Sequence, residues 1–188
     1  MTPKASSRRS RQDWVMAAVE ALGEGGPSAI RVEPLAKRLG VTKGSFYWHF
    51  KRREELVEAV LDTWEQAGTE SIIRDVQAES GADARRTLTA LWARTLFEAA
   101  DKLRAELAIR QMAARDASTR ERVARVDERR MEFLRHAFRE LGLSTEVAEA
   151  RALMLYSLLL GNYFIASAHG SQTRAEVLET ALEELLTP

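Results

Sequence analysis

Gly40 stands between two short runs of helical spacing, and this juncture constrains the fold more than any other feature of the chain. Before it, Leu35, Ala36 and Leu39 recur on one helix face, with Pro34 in the first turn, where a missing N–H costs nothing. After it, Val41 resumes the apolar pattern, Thr42 suits an N-cap, and Phe46 and Phe50 lie one turn apart. Glycine stops the first helix in the left-handed region that other residues avoid. The spacing predicts helices over 32–39 and 43–50 joined by a tight turn, the dimensions of a helix-turn-helix.

The rest of the chain repeats the helical interval. Trp14, Ala18 and Leu22 share a face over 11–22, and Gly23, Gly25, Gly26 and Pro27 end that helix. A long helix is expected from 53 to 76, a loop over 77–83, and helices over 84–100, 102–115, 119–141, 145–169 and 174–186, with Ser144 and Thr173 as N-caps. No segment has the alternation of a strand. The predicted fold is all-α, in three parts: a basic, disordered arm over 1–10, a three-helix head over 11–53 and a larger helical bundle over 54–188.

Charge separates the two ends. Residues 1–53 carry eleven Lys/Arg against four Asp/Glu, and the remainder carries the matching negative excess, so the net charge is zero. A basic head on an acidic body suits a chain that meets a polyanion at one end. The absence of cysteine excludes disulfides, thiolate metal sites and a cysteine nucleophile, and it fits a cytoplasmic protein. The basic N-terminus leads into no apolar stretch of the kind a signal peptide has. The uncharged run 152–168 approaches the length of a membrane span. Its Ser157, Asn162 and Ser167 favour a core or interface helix, and no membrane partner is expected.

The second short helix carries the chemistry. With Phe46 and Phe50 turned inward, Tyr47, Trp48 and His49 must largely face out, which is unusual for large aromatics without a partner. Each can donate a hydrogen bond to phosphate or base edges. Lys43 and Lys51 bracket the helix, and Gly44 and Ser45 are small enough for its positively polarised start to approach a phosphate backbone. The alternative is that the aromatics pack on neighbouring helices.

The run LAKRLGVTKGSFYWHFKRREELVEAVLDTWE, Leu35 to Glu65, resembles the DNA-binding end of TetR/AcrR-family regulators. A weaker likeness continues in ELAIRQMAARD, Glu106 to Asp116, and in the order of the last helices. The resemblance implies a helix-turn-helix head and a body that dimerises and binds a small effector. Position by position it implies DNA contacts from Thr42, Lys43, Ser45, Tyr47, Trp48 and His49, and phosphate contacts from Arg31, Lys51 and Arg53. Two departures stand out. Arg31 and Arg52 occupy helix starts where the family often has Ser, Thr or Asp. Glu33 also lies near the expected DNA face, where it would repel phosphate.

For the body, the expectation is an apolar or mildly polar effector among Trp92, Met112, Arg130, Phe133 and Met154, although each also suits plain core packing or, for Arg130, a salt bridge to Asp127. The expected self-association surface comprises Ser157, Leu158, Gly161, Phe164, Leu178 and Leu182. The partners expected are double-stranded operator DNA, a second copy of the chain and an unidentified small molecule, with no cofactor.

Three histidines without metal-ligand spacing, and no nucleophile or phosphate-loop motif, argue against an enzyme. The competing readings are a non-specific architectural DNA-binding protein and a helical protein-interaction bundle. The operator, the effector and the direction of control are not encoded in any motif.

Overall fold

The computed structural model describes residues 9–97 and 100–187 and is all-helical over them. The expected disordered arm lies largely outside the described residues. Among the described residues there are ten α-helices: α1 Arg11–Gly25, α2 Val32–Leu39, α3 Lys43–Phe46, α4 Arg53–Glu65, α5 Ser71–Ser80, α6 Ala84–Phe97, α7 Ala100–Ala113, α8 Ala117–Glu140, α9 Thr145–Gly161 and α10 Arg174–Leu186. A 3₁₀ turn, Pro27–Ala29, leads into α2. The chain divides into two compact units, one running to Gly68 and including Asp101–Val123, the other comprising Thr69–Ala100 and Ala124–Pro188. The boundary expected from the sequence falls instead at the start of α4.

In the first unit, α1 is fixed by a capping box. Ser10 Oγ accepts from the Asp13 amide, and the Asp13 carboxylate accepts from the Ser10 amide. Trp14, Val15, Ala18 and Leu22 bury one face of α1 with Ile30, Leu35, Phe46, Phe50, Leu56 and Val60. Helix α4 is also held from later in the chain. Arg122, near the start of α8, meets Glu58, Asp62 and Glu65 at 3.1, 2.5 and 3.2 Å.

In the second unit, Ile73, Val76, Leu88, Trp92, Phe133, Leu134, Phe138, Leu155, Leu159, Leu178, Leu182 and Leu186 form the core. The expected N-caps are present: Ser144 accepts from Val147 N and Thr173 from Glu176 N.

Two expected boundaries after residue 53 are corrected. The helix from 53 does not run evenly to 76: Gln66–Glu70 form a π-helical turn, and helix then continues to Ser80, where Gly81 at φ 61° stops it. Between Trp64 and Ile72 the only apolar side chain is Ala67, so the spacing fixes no register there and passes over a wide turn. Helix α9 ends at Gly161, not 169. There the Arg174 guanidinium gathers Asn162 O at 3.1 Å, Asn162 Oδ1 at 2.8 Å and Ile165 O, so carbonyls that a continuing helix would use internally bond to a side chain. Among the described residues no helix is long and apolar enough to cross a membrane.

Candidate nucleic-acid interface

Gly40 sits at φ 68°, ψ 32°, as its sequence position demands, and the amide of Val41 bonds back to Ala36 O at 2.9 Å. This left-handed closure turns the chain from α2 into α3 within two residues. Helix α3 is shorter than expected: one turn, Lys43–Phe46, followed by a tightened stretch in which His49 N and Phe50 N both bond to Phe46 O. A dipole argument for phosphate at its start loses force in so short a helix. Thr42 has N-cap backbone geometry but makes no side-chain cap bond, and neither do Arg31 and Arg52 before α2 and α4. Glu55 offsets part of this by accepting from the amide of Lys51 at 2.9 Å.

The face is set by three rings. Phe46 is fully buried, edge-on to Trp14 and stacked on Phe50, with both centroids 5.3 Å away. Arg11 lies over Phe50 at 4.7 Å from the ring centroid. With these rings inward, Tyr47 is 55% exposed and Trp48 77% exposed. Arg31, Thr42, Lys43, Gly44, Lys51 and Arg53 are exposed in the same unit, and Ser45 is half-buried. A Cβ on Gly44 would meet only Thr42 Oγ1, at 3.6 Å, so nothing within the protein demands glycine there.

Several of these groups already have partners. Lys43 Nζ donates to Glu33 Oε1 at 2.7 Å. That bond holds the Glu33 carboxyl below its ordinary range and raises Lys43 above its own. The Glu33 once expected only to repel phosphate is therefore tied to the central cation of the face. His49 is half-buried, and its Nε2 lies 2.8 Å from Arg9 O, the arrangement of a ring N–H donating to a carbonyl. Arg53 donates from Nε to Ile30 O at 2.6 Å and from Nη2 to Pro27 O at 3.2 Å, bracing the turn before α2. Sequence reasoning had no signal for the last two bonds, because both acceptors are backbone carbonyls distant in sequence.

The effector and dimer candidates are only partly brought together. Trp92 and Phe133 lie in the core of the second unit. Arg130, in the same unit, donates to Thr69 Oγ1 at 2.9 Å and to the Tyr156 hydroxyl at 3.1 Å, and that hydroxyl donates to Asp127 at 2.7 Å. Met112 belongs to the first unit, and Met154 is 57% exposed on α9. Met154 instead borders a shallow surface groove with Ser157, Leu158, Ala181, Glu184 and Leu185. Gly161 is half-buried at the end of α9 and Phe164 is exposed just beyond it, whereas Leu178 and Leu182 turn into their own unit's core. Ala181 and Leu185, not identified from the sequence, are the half-buried α10 residues on the groove.

A left-handed turn between two short helices, an aromatic pair held outward by buried rings and a surrounding set of cations define a helix-turn-helix module. Residues 15–60 match the family described as bacterial regulatory proteins, tetR family, about a quarter of the chain. The chain is 35% identical over 60 residues to the HTH-type transcriptional regulator TtgR of Pseudomonas putida, a match spanning 32% of this chain and 29% of that protein. The fold likeness extends further. A TetR transcriptional regulator from Legionella pneumophila superposes at TM-score 0.75 with 17% identity, over 94% of this chain and 96% of its own. AibR, solved with isovaleryl coenzyme A and operator DNA, superposes at 0.71 with 18% identity, over 95% and 98%. The curated relatives matched are named as HTH-type transcriptional regulators, and the match spans 27–42% of their length, well under half of each.

Proposed function

We propose that this chain is a sequence-specific DNA-binding regulator of transcription. It works as a homodimer and is a repressor that leaves a near-palindromic operator when a small molecule binds. One observation carries the reading: Tyr47 and Trp48 are held outward by buried Phe46 and Phe50 on a face that also presents Arg31, Lys43 and Lys51. Exposed rings beside cations fit phosphate and base edges better than they fit water. That AibR was solved with operator DNA and a ligand supports the same division of labour here.

Self-association is assigned to the groove face of α9 and α10, where Met154, Ser157, Leu158, Ala181 and Leu185 provide apolar area and a small residue for close approach. Two-fold pairing would set two heads on half-sites one helical turn apart, ~34–36 Å, or further on a longer operator. The effector is assigned to the second unit, on the side chains of Trp92, Phe133 and Arg130. There the buried indole N–H of Trp92 finds no acceptor among the described residues. Trp14 has a similar orphan N–H in the head, so Trp92 is a candidate contact because of its unit as well as its unmet donor. Binding lowers operator affinity only if the ligand distinguishes two conformations.

The test is selection of random duplex DNA by the purified protein near physiological salt. A two-fold symmetric enriched motif supports the proposal. Retention without a motif favours a non-specific architectural protein, and no retention overturns the DNA-binding assignment.

A further inference from the structure

We infer that Glu33 converts Lys43 from a phosphate clamp into a reader of base edges, and that the base it reads is guanine. The inference rests on the DNA-binding proposal above and narrows it to one side chain and one base.

Lys43 is the first residue of α3, and Glu33 lies in the first turn of α2. Their ends meet at 2.7 Å although both side chains are largely exposed, at 52% and 72%. An exposed pair contributes little to stability, so folding gives it no strong purpose. Its electrostatic effect is larger. Glu33 also feels Arg31, so the corner formed by Arg31, Glu33 and Lys43 carries one net positive charge in place of two.

A phosphate approaching the Lys43 ammonium must approach the Glu33 carboxylate as well, and like charges repel. A neutral base-edge acceptor escapes most of that repulsion. The ammonium has three N–H donors, and one bond to Glu33 leaves two. Guanine offers two adjacent acceptors, N7 and O6, in the major groove, the pair that lysine and arginine most often read. The first turn of a recognition helix is also where base contacts arise. Lys51 is the internal contrast: Glu55 bonds its backbone amide, but among the described residues no carboxylate pairs with its ammonium, which stays available to phosphate.

The experiment compares the full-length wild type with Glu33→Gln, Lys43→Ala and Lys51→Ala, by duplex selection and by salt titration of affinity. Lys43→Ala should lose about tenfold or more in preference for guanine at one position per half-site, while the slope of log affinity against log salt holds. Glu33→Gln should bind unrelated duplex several-fold more tightly and steepen the slope by about 0.9 per subunit. Lys51→Ala should flatten the slope by a similar amount and leave the motif intact. If Lys43→Ala flattens the slope as Lys51→Ala does and keeps the motif, Lys43 is a phosphate clamp and the inference is wrong. An unchanged motif and unchanged unrelated-duplex affinity in Glu33→Gln also overturn it. A wild type that retains no duplex removes the DNA-binding proposal itself, an outcome distinct from both.

Discussion

The indole N–H of Trp64 donates to Glu106 Oε2 across 2.6 Å, and both side chains are buried. Arg110, one turn further along α7, holds the other carboxylate oxygen from Nε at 2.8 Å and Nη2 at 2.7 Å. A buried carboxylate is tolerated because it is bonded in this way. Trp64→Phe keeps most of the ring and removes one bond to a charged acceptor, which should lower stability by about 1.5–3 kcal/mol. Glu106→Ala breaks the pair and should cost more, about 3–5 kcal/mol. Urea denaturation of the two variants checks the order, and equal losses would contradict the account.

Phe46 organises the face by filling the space between Trp14 and Phe50. Phe46→Ala should cost about 3–5 kcal/mol, and Phe46→Leu, which keeps more apolar volume, should cost less. DNA affinity measured where each variant remains folded should fall with Phe46→Ala, because the turn that aims Tyr47 and Trp48 outward loses its anchor.

Arg53 is expected to act through its own backbone. Arg53→Ala removes the bonds to Ile30 O and Pro27 O and should reduce thermal stability by about 1–2 kcal/mol. Arg53→Lys should not restore it, since a single ammonium does not reproduce a two-armed donor. The salt dependence of DNA binding should be unchanged in both variants. A flattened slope would show that Arg53 reaches phosphate.

Acid should loosen the start of α1. The amide and hydroxyl of Ser10 donate to the Asp13 carboxylate at 2.7 and 3.0 Å and hold it below its ordinary range. A depressed carboxyl stabilises the fold above its unfolded pKa and loses that contribution as pH falls through the folded value. Asp13→Asn should therefore be less stable than wild type at neutral pH, and the gap should close well below the carboxylate range. Denaturation midpoints at the two pH values decide this, and a constant gap would exclude the linkage.

A charge placed in the α9–α10 groove should separate the proposed dimer. Leu158→Glu and Leu185→Glu both alter half-buried positions beside Met154. Equilibrium sedimentation at micromolar concentration should report a dimer for the wild type and monomers for these variants. A wild-type monomer would rule out this face as a self-association surface under those conditions.

The head was legible because its determinants are local. Gly40, the Phe46–Phe50 interval and the outward aromatics lie within a few turns, and helical periodicity places each of them. The π turn at Gln66–Glu70 was not legible, because Ala67 is its only apolar residue and leaves the register there unmarked. The early end of α9 depends on Arg174, which lies beyond the helix it terminates. The pairing of Glu33 with Lys43 joins two helices whose separate patterns gave no sign of a bond, so the sequence suggested only repulsion. Leu178 and Leu182 share an apolar face with residues nearer the groove, and periodicity alone does not say which part of that face the core takes.

The first compact unit is assembled from two separate stretches of chain, and this bears on how the protein acquires its shape. A fragment ending at Gly68 would contain every residue of the helix-turn-helix, yet it would leave Trp64 without Glu106, and Glu58, Asp62 and Glu65 without Arg122. The later stretch must return across the intervening residues before those partners meet, and closing such a loop costs entropy that local helices do not incur. During synthesis the nucleic-acid-binding end would emerge first but wait for α7 and the start of α8 before its long helix is secured. Regulatory competence would thus trail the emergence of the head by some fifty residues of translation, a delay of seconds at ordinary elongation rates of ~5–20 residues per second.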